Sequence, residues 1–213
     1  MIAKTPRLSA LEQLLKNAYS QVPRDENEKA IEAIGNLLDH AALATTTTKS
    51  ILIEAAKTIH RTFEFQFIAI ALKDRTDGLY RYKIFQGIPP TTEQGYNKIT
   101  YSSGDLFDSI KYPCTKVSRL TNFYMIEDNP LPEKEESLYR LASINQARKS
   151  LDDFHEGDYI VTIMYGQIGD VIGWIELSSP RTGKFPKKET IVWIEFISSL
   201  LATIIFQKEY GRK

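Results

Sequence analysis

Cysteine is nearly absent: the one thiol, Cys114, cannot close a disulfide within the chain, which suits a reducing compartment. Histidine is scarce as well, with three residues, and no zinc or EF-hand spacing occurs. Neither sign of charge prevails, because Lys and Arg total 27 and so do Asp and Glu, so no global field attracts nucleic acid or an anionic membrane. No uninterrupted apolar stretch reaches the roughly 18 residues that span a bilayer, and "MIAKTPRLSALEQ" lacks the apolar core of a signal peptide. Internal repeats and low-complexity tracts are missing too. These absences predict a cytoplasmic protein outside the membrane, disulfide-stapled and nucleic-acid-binding classes.

What is present is a globular composition. With 213 residues, 42% of them hydrophobic and 11% aromatic, the chain can bury a substantial core. Leu8, Leu11, Leu14, Leu15 and Ala18 recur at helical spacing, as do Ile31, Ile34, Leu37, Leu38 and Ala41 after a break at Pro23. Asp25 and Glu28 are spaced like a capping box for the second run. These stripes must pack on the following domain, on each other, or on a second copy of the chain. Residues 1–45 are therefore predicted to form a helical extension for dimerisation or partner contact, ahead of a domain over 46–210.

Thr45 to Thr48 can cap a third helix with Ile51, Leu52, Ala55, Ala56, Ile59 and Phe63 on one face. The next segment, "FEFQFIAIALKD", reads as a strand with Phe65, Phe67, Ala69 and Ala71 on one side and Ile68, Ile70 and Leu72 on the other. In "LYRYKIFQG", Tyr80, Tyr82 and Ile84 alternate against Arg81 and Lys83, as in a more peripheral antiparallel strand. From Ile88 to about Glu156 the pattern loses its period, with a turn at "IPP", a short strand around Ile99 to Tyr101 and a short helix in "DLFDSIKY". Regularity returns in "DYIVTIMYGQIGDVIGWIEL", an antiparallel hairpin. A final helix carries Ile191, Val192, Ile194, Phe196, Ile197, Leu200, Leu201, Ile204 and Ile205 on a broad apolar face.

The stretch "VIGWIEL", followed by Gly183, Phe185 and Glu189 before the last helix, is the most specific piece. With the helix, strand and hairpin that precede it, it resembles the GAF family of small-molecule sensor domains over about residues 46 to 208. The resemblance implies an α+β, PAS/profilin-like fold: a central antiparallel sheet with the first and last domain helices packed together on one face. It also implies that Gly173 admits a closely packed helix, that Phe185 plugs the end of the core, and that the variable middle roofs a ligand pocket on the other face.

Known GAF chemistries are only partly represented. Ser178 and Ser179 stand where cyclic-nucleotide-binding members have an N-K pair, and Phe185 with Glu189 keeps part of the F-x-x-x-D-E motif. Cys114 lacks the neighbouring His of bilin-attaching members, and the GAF-fold reductases of free methionine sulfoxide use several cysteines. No metal is expected, and the sequence leaves the cofactor open; "LDDFHEGD" reads as a solvated turn, and so does the basic cluster of Arg181, Lys184, Lys187 and Lys188. His40 and His60 have no triad partner nearby in sequence.

The candidate ligand-binding residues are aromatic: Tyr80, Tyr82, Tyr101, Phe107, Phe123, Tyr124, Tyr165 and Trp174. The expected function is that of a noncatalytic sensory or regulatory protein in signal transduction. It binds a small molecule between sheet and variable middle, and signals through a homodimer or a protein partner. The alternatives are a transcription regulator with a GAF-like effector domain and a ligand-free dimerisation scaffold.

Overall fold

A computed structural model describes residues 6–19, 25–106, 108–129 and 148–210. The expectations for Phe107 and for the break at Pro23 lie outside these residues. Helices α1 (Pro6–Tyr19), α2 (Glu26–Ala42) and α3 (Thr48–Thr62) lead into strands β1 (Phe65–Lys73) and β2 (Tyr80–Gln86). Short helices α4 (Pro90–Tyr96) and α5 (Ser103–Leu106) follow, then β3 (Thr115–Lys116), β4 (Thr121–Tyr124), β5 (Tyr159–Tyr165), β6 (Val171–Pro180) and the long α6 (Lys188–Tyr210). The six strands form one antiparallel sheet in the order β2-β1-β6-β5-β4-β3.

Local chemistry accounts for the helix starts. Asp25 accepts from the Glu28 N–H at 2.8 Å, and Thr47 accepts from the Ser50 N–H at 3.1 Å, each satisfying a donor that the first turn leaves open. α3 and α6 pack on each other and on one face of the sheet, as the resemblance implies. Ile68, Ile70, Ile160, Ile175 and Leu177 from the strands meet Leu52, Ile59, Ile194, Ile197 and Leu201 from these helices. Each fully buried Ile or Leu contributes roughly 2 kcal/mol, so this aliphatic layer supplies much of the folding free energy. α2 joins the same core through Ile34, Leu37 and Ala41, whereas Leu11, Leu14 and Leu15 of α1 stay exposed.

α6 is long and apolar enough by length and composition to cross a bilayer, which a count of uninterrupted apolar residues did not register. Its stripe instead fills the core, as in the central helix of many globular domains. That stripe is narrower than the sequence predicts: Val192 and Phe196 are exposed, because both lie off the line of Ile191, Ile194, Ile197 and Leu201.

Four further expectations change. A register shift between Ile70 and Ala71 places Ile84 opposite Ile70 and Tyr82 opposite Ala71, leaving Lys83 as the extra residue. Ile84 therefore belongs to the helix-side core, while Tyr80 and Tyr82 face the other way. Phe65, expected beside Phe67, buries in the helix-side core where the chain enters β1 through Glu64 at φ 57°. At Gly173 the close approach comes from the adjacent strand rather than a helix: a Cβ there would lie 2.2 Å from the Ala71 carbonyl oxygen and 2.9 Å from Met164 Cε. The strand expected at Ile99 to Tyr101 reduces to a single bridge between Tyr101 and Tyr80.

Candidate functional site

The second face of the sheet is aromatic. Ala69 and Ala71 of β1 are small, and Ala71 is flanked in register by Tyr82 of β2 and Trp174 of β6. The space above these alanines is filled by the flanking rings, whose centroids stand 5.9 Å apart at 84°. β5 adds Tyr159 and Val161, and β4 adds Tyr124, which stacks on Tyr159 at 4.5 Å. The roof comes from the stretch that lacked period in the sequence. Tyr96 ends α4, Tyr101 is pinned to β2 by two backbone hydrogen bonds with Tyr80, and Tyr112 closes the side.

These groups line a cavity of about 50 Å³, together with Glu176 and Asp105. Glu176 is the charged residue of "VIGWIEL", and strand alternation turns it onto the face of Trp174, opposite Ala69 and Val161. It is only 8% exposed. The Tyr82 hydroxyl donates to Glu176 Oε2 and the Tyr96 hydroxyl donates to Oε1 at 3.1 Å, so the buried carboxylate is met by two phenols. Burial and the neighbouring Glu176 carboxylate push the Tyr82 hydroxyl well above its ordinary range, so it stays a donor at neutral pH. Tyr124 is likewise pushed up, first by burial and then by Cys114 beside it.

At the cavity edge, burial works against ionisation of Asp105, but Lys111 and Ser102 outweigh it and hold the carboxyl at about 2. Lys111 donates to Asp105 and its Nζ lies 5.3 Å over the Tyr112 ring. A larger cleft of about 370 Å³ adjoins the cavity and shares Tyr96, Tyr159 and Glu176 with it. Phe67, Ile88, Pro89, Thr91, His155, Ser178 and Ser179 also line it.

Of the sequence candidates, Tyr82, Tyr101, Tyr124 and Trp174 line the cavity together. Tyr80 belongs to the same cluster, but its hydroxyl donates to the Val171 carbonyl at 2.8 Å and it serves as a support behind the lining. Phe123 is misplaced: it shares strand parity with Thr121, so it points to the helix side and packs 5.7 Å from Phe185. Tyr165 lies outside the lining, half-buried, with the Arg119 guanidinium 5.7 Å over its ring. Phe107 is outside the described residues. Tyr96, Tyr112, Tyr159 and Glu176 are lining residues that the sequence reading did not select. For Glu176 a signal existed, since it is the one charge inside an apolar strand.

The acidic turn "LDDFHEGD" is tied up internally. Asp152 and Asp153 accept from Lys184 at 2.9 and 2.6 Å, while Asp158 accepts from Arg148 and from the backbone N–H groups of Ile126 and His155. Among the described residues, no group of three or more His, Cys, Asp or Glu side chains is placed to hold a metal ion.

No family model and no curated protein matches the sequence. Solved structures match in fold. A GAF domain/HD domain protein from Geobacter sulfurreducens superposes with TM-score 0.56 at 13% identity, covering 80% of this chain and 100% of that one. A GAF domain from A. aeolicus in an inactive state gives 0.55 at 15% identity, covering 87% and 100%. The free methionine-R-sulfoxide reductase from Neisseria meningitidis, in complex with its substrate, gives 0.53 at 14% identity, covering 87% and 91%. The chain has the GAF fold, which is shared by proteins as different as a GAF domain/HD domain protein and a free methionine-R-sulfoxide reductase.

Proposed function

We propose that this GAF-fold chain is a noncatalytic regulatory module that binds a small molecule between its sheet and the roof made by α4, α5 and Tyr112. One observation carries this reading: a carboxylate buried at Glu176 among tyrosine hydroxyls and rings, where a plain core would have an aliphatic side chain. Burying an acid has a desolvation cost that aliphatic packing would not incur, and such an expense is retained where it serves recognition. The cavity and the adjoining cleft share Tyr96, Tyr159 and Glu176 in their walls, which supports a ligand that reaches from one to the other. Binding would shift the population of roof conformers and pass the change to a homodimer partner or another protein.

The exposed leucines of α1 support the second part of this reading, a partner contact made through the N-terminal helices. They also favour one alternative, a dimerisation scaffold whose cavity stays closed. The two readings separate in one experiment, in which the thermal midpoint is followed against nucleotides, tetrapyrroles, amino acids, amines and 2-oxo acids, with light scattering on the same samples. A ligand that binds only the folded state raises the midpoint, and Glu176→Gln should abolish the rise. A clean dimer mass with no rise across the panel would leave the scaffold.

A further inference from the structure

Resting on the reading that the roof cavity binds a small molecule, we infer that the ligand presents an organic cation, an alkylammonium or methylammonium head, to the aromatic cavity beside Glu176 while its tail lies in the adjoining cleft.

Size restricts the head group first. A cavity of about 50 Å³ is far below the ~300–1,000 Å³ that encloses a whole drug-sized ligand, so a nucleobase or tetrapyrrole ring has no room there. A compact head of a few heavy atoms fits, and the 370 Å³ cleft can take what is attached to it.

Chemistry then selects the charge. Tyr82, Tyr101, Tyr112, Tyr124 and Trp174 offer ring quadrupoles whose negative faces attract cations, most strongly where water is excluded. The ionisable acids of the lining are Glu176 and Asp105, and among the described residues no Lys, Arg or His lines the cavity. An anionic head would meet these carboxylates in a partly desolvated space, whereas a cationic head gains from both rings and acid. The chain already carries one instance of the contact at the rim, where the Lys111 ammonium lies 5.3 Å over Tyr112 and bonds Asp105. That ammonium answers Asp105, while Glu176, shared by the walls of cavity and cleft, accepts from the neutral hydroxyls of Tyr82 and Tyr96.

The test titrates the full chain with choline and n-butylammonium, and separately with dimethylbutanol, the uncharged carbon analogue of choline, by calorimetry and thermal midpoint. The expected result is binding of at least one cation about tenfold or more tighter than the neutral analogue. Glu176→Gln and Tyr112→Leu should each weaken the cation about tenfold while leaving the analogue within about twofold. If Glu176→Gln does not fold, Tyr112→Leu at the rim decides alone. Equal binding of cation and analogue would overturn the inference and leave an apolar ligand pocket. Failure of both cations while another panel compound raises the midpoint in a Glu176-dependent way would also overturn it, with the pocket intact. No response to any compound would overturn both the inference and the reading beneath it.

Discussion

On the helix side of the sheet, Ile68, Ile70, Ile160, Ile175 and Leu177 interlock with aliphatic side chains of α3 and α6. On the roof side the same sheet presents Tyr82, Tyr124, Tyr159, Trp174 and Glu176 to a cover made of short helices and turns. The sheet is shared, so backbone pairing cannot explain the contrast. The aliphatic face buries area without polar cost and stabilises the fold, whereas the roof face accepts a buried carboxylate and small cavities that an optimised core would avoid. That difference is why we propose the second face, and not the first, for recognition.

Substitutions on the two faces should separate these roles. The largest loss is expected on the helix side, where Ile175→Ala removes a fully buried side chain and should cost about 3 kcal/mol in a urea titration. It should leave ligand affinity, measured in the folded fraction, nearly unchanged. On the roof side, Tyr82→Phe removes one donor to Glu176 without changing ring volume. The expected cost is about 1–2 kcal/mol of stability, accompanied by a change in ligand affinity that Ile175→Ala does not produce. Were both variants to change affinity equally, the contrast between the faces would fail.

A smaller, acid-dependent effect distinguishes the roof from the aliphatic helix side. Asp105 titrates at about 2 in the folded chain against an ordinary 3.8, so its folded value is depressed. The stability it contributes is complete above its ordinary value and is lost as pH falls through about 2. Near-ultraviolet circular dichroism, which reports the tyrosines and Trp174, should show this loss between these limits, and Lys111→Met should move it toward higher pH. The smallest effect is expected at α1: Leu14→Lys, at a side chain 62% exposed, should change monomer stability by no more than about 0.5 kcal/mol. If α1 mediates self-association, the same substitution lowers the mass seen by light scattering.

The helix side was largely legible in the sequence because its signals are periodic. Ile51, Leu52, Ala55, Ala56 and Ile59 repeat at helical spacing, and "VIGWIEL" after a Gly-containing turn reads as a strand. The roof was less legible for physical reasons. Tyr96, Tyr101 and Tyr112 come from turns and short helices with no period, so nothing in their spacing says which face they cover. The extra residue at Lys83 reverses the parity between Ile84 and Tyr82, and a bulge of one residue leaves no compositional mark. Phe123 was selected for being aromatic, although its side of the sheet depends on the register of a four-residue strand. Glu176 was visible as a lone charge in an apolar run, but its role depends on Tyr82 and Tyr96, which are 94 and 80 residues away in the chain.

Trp174, in the wall of the roof-side cavity, reports directly on whether the proposed ligand binds there. In a Trp193→Phe background, Trp174 is the one remaining tryptophan, and it lies in the cavity wall. Its emission should be followed while a compound that raises the thermal midpoint is titrated. The account predicts a saturable change in intensity or wavelength with the same midpoint concentration as the stabilisation, lost in Glu176→Gln. Stabilisation that saturates while Trp174 emission stays constant would place the ligand elsewhere and contradict the account.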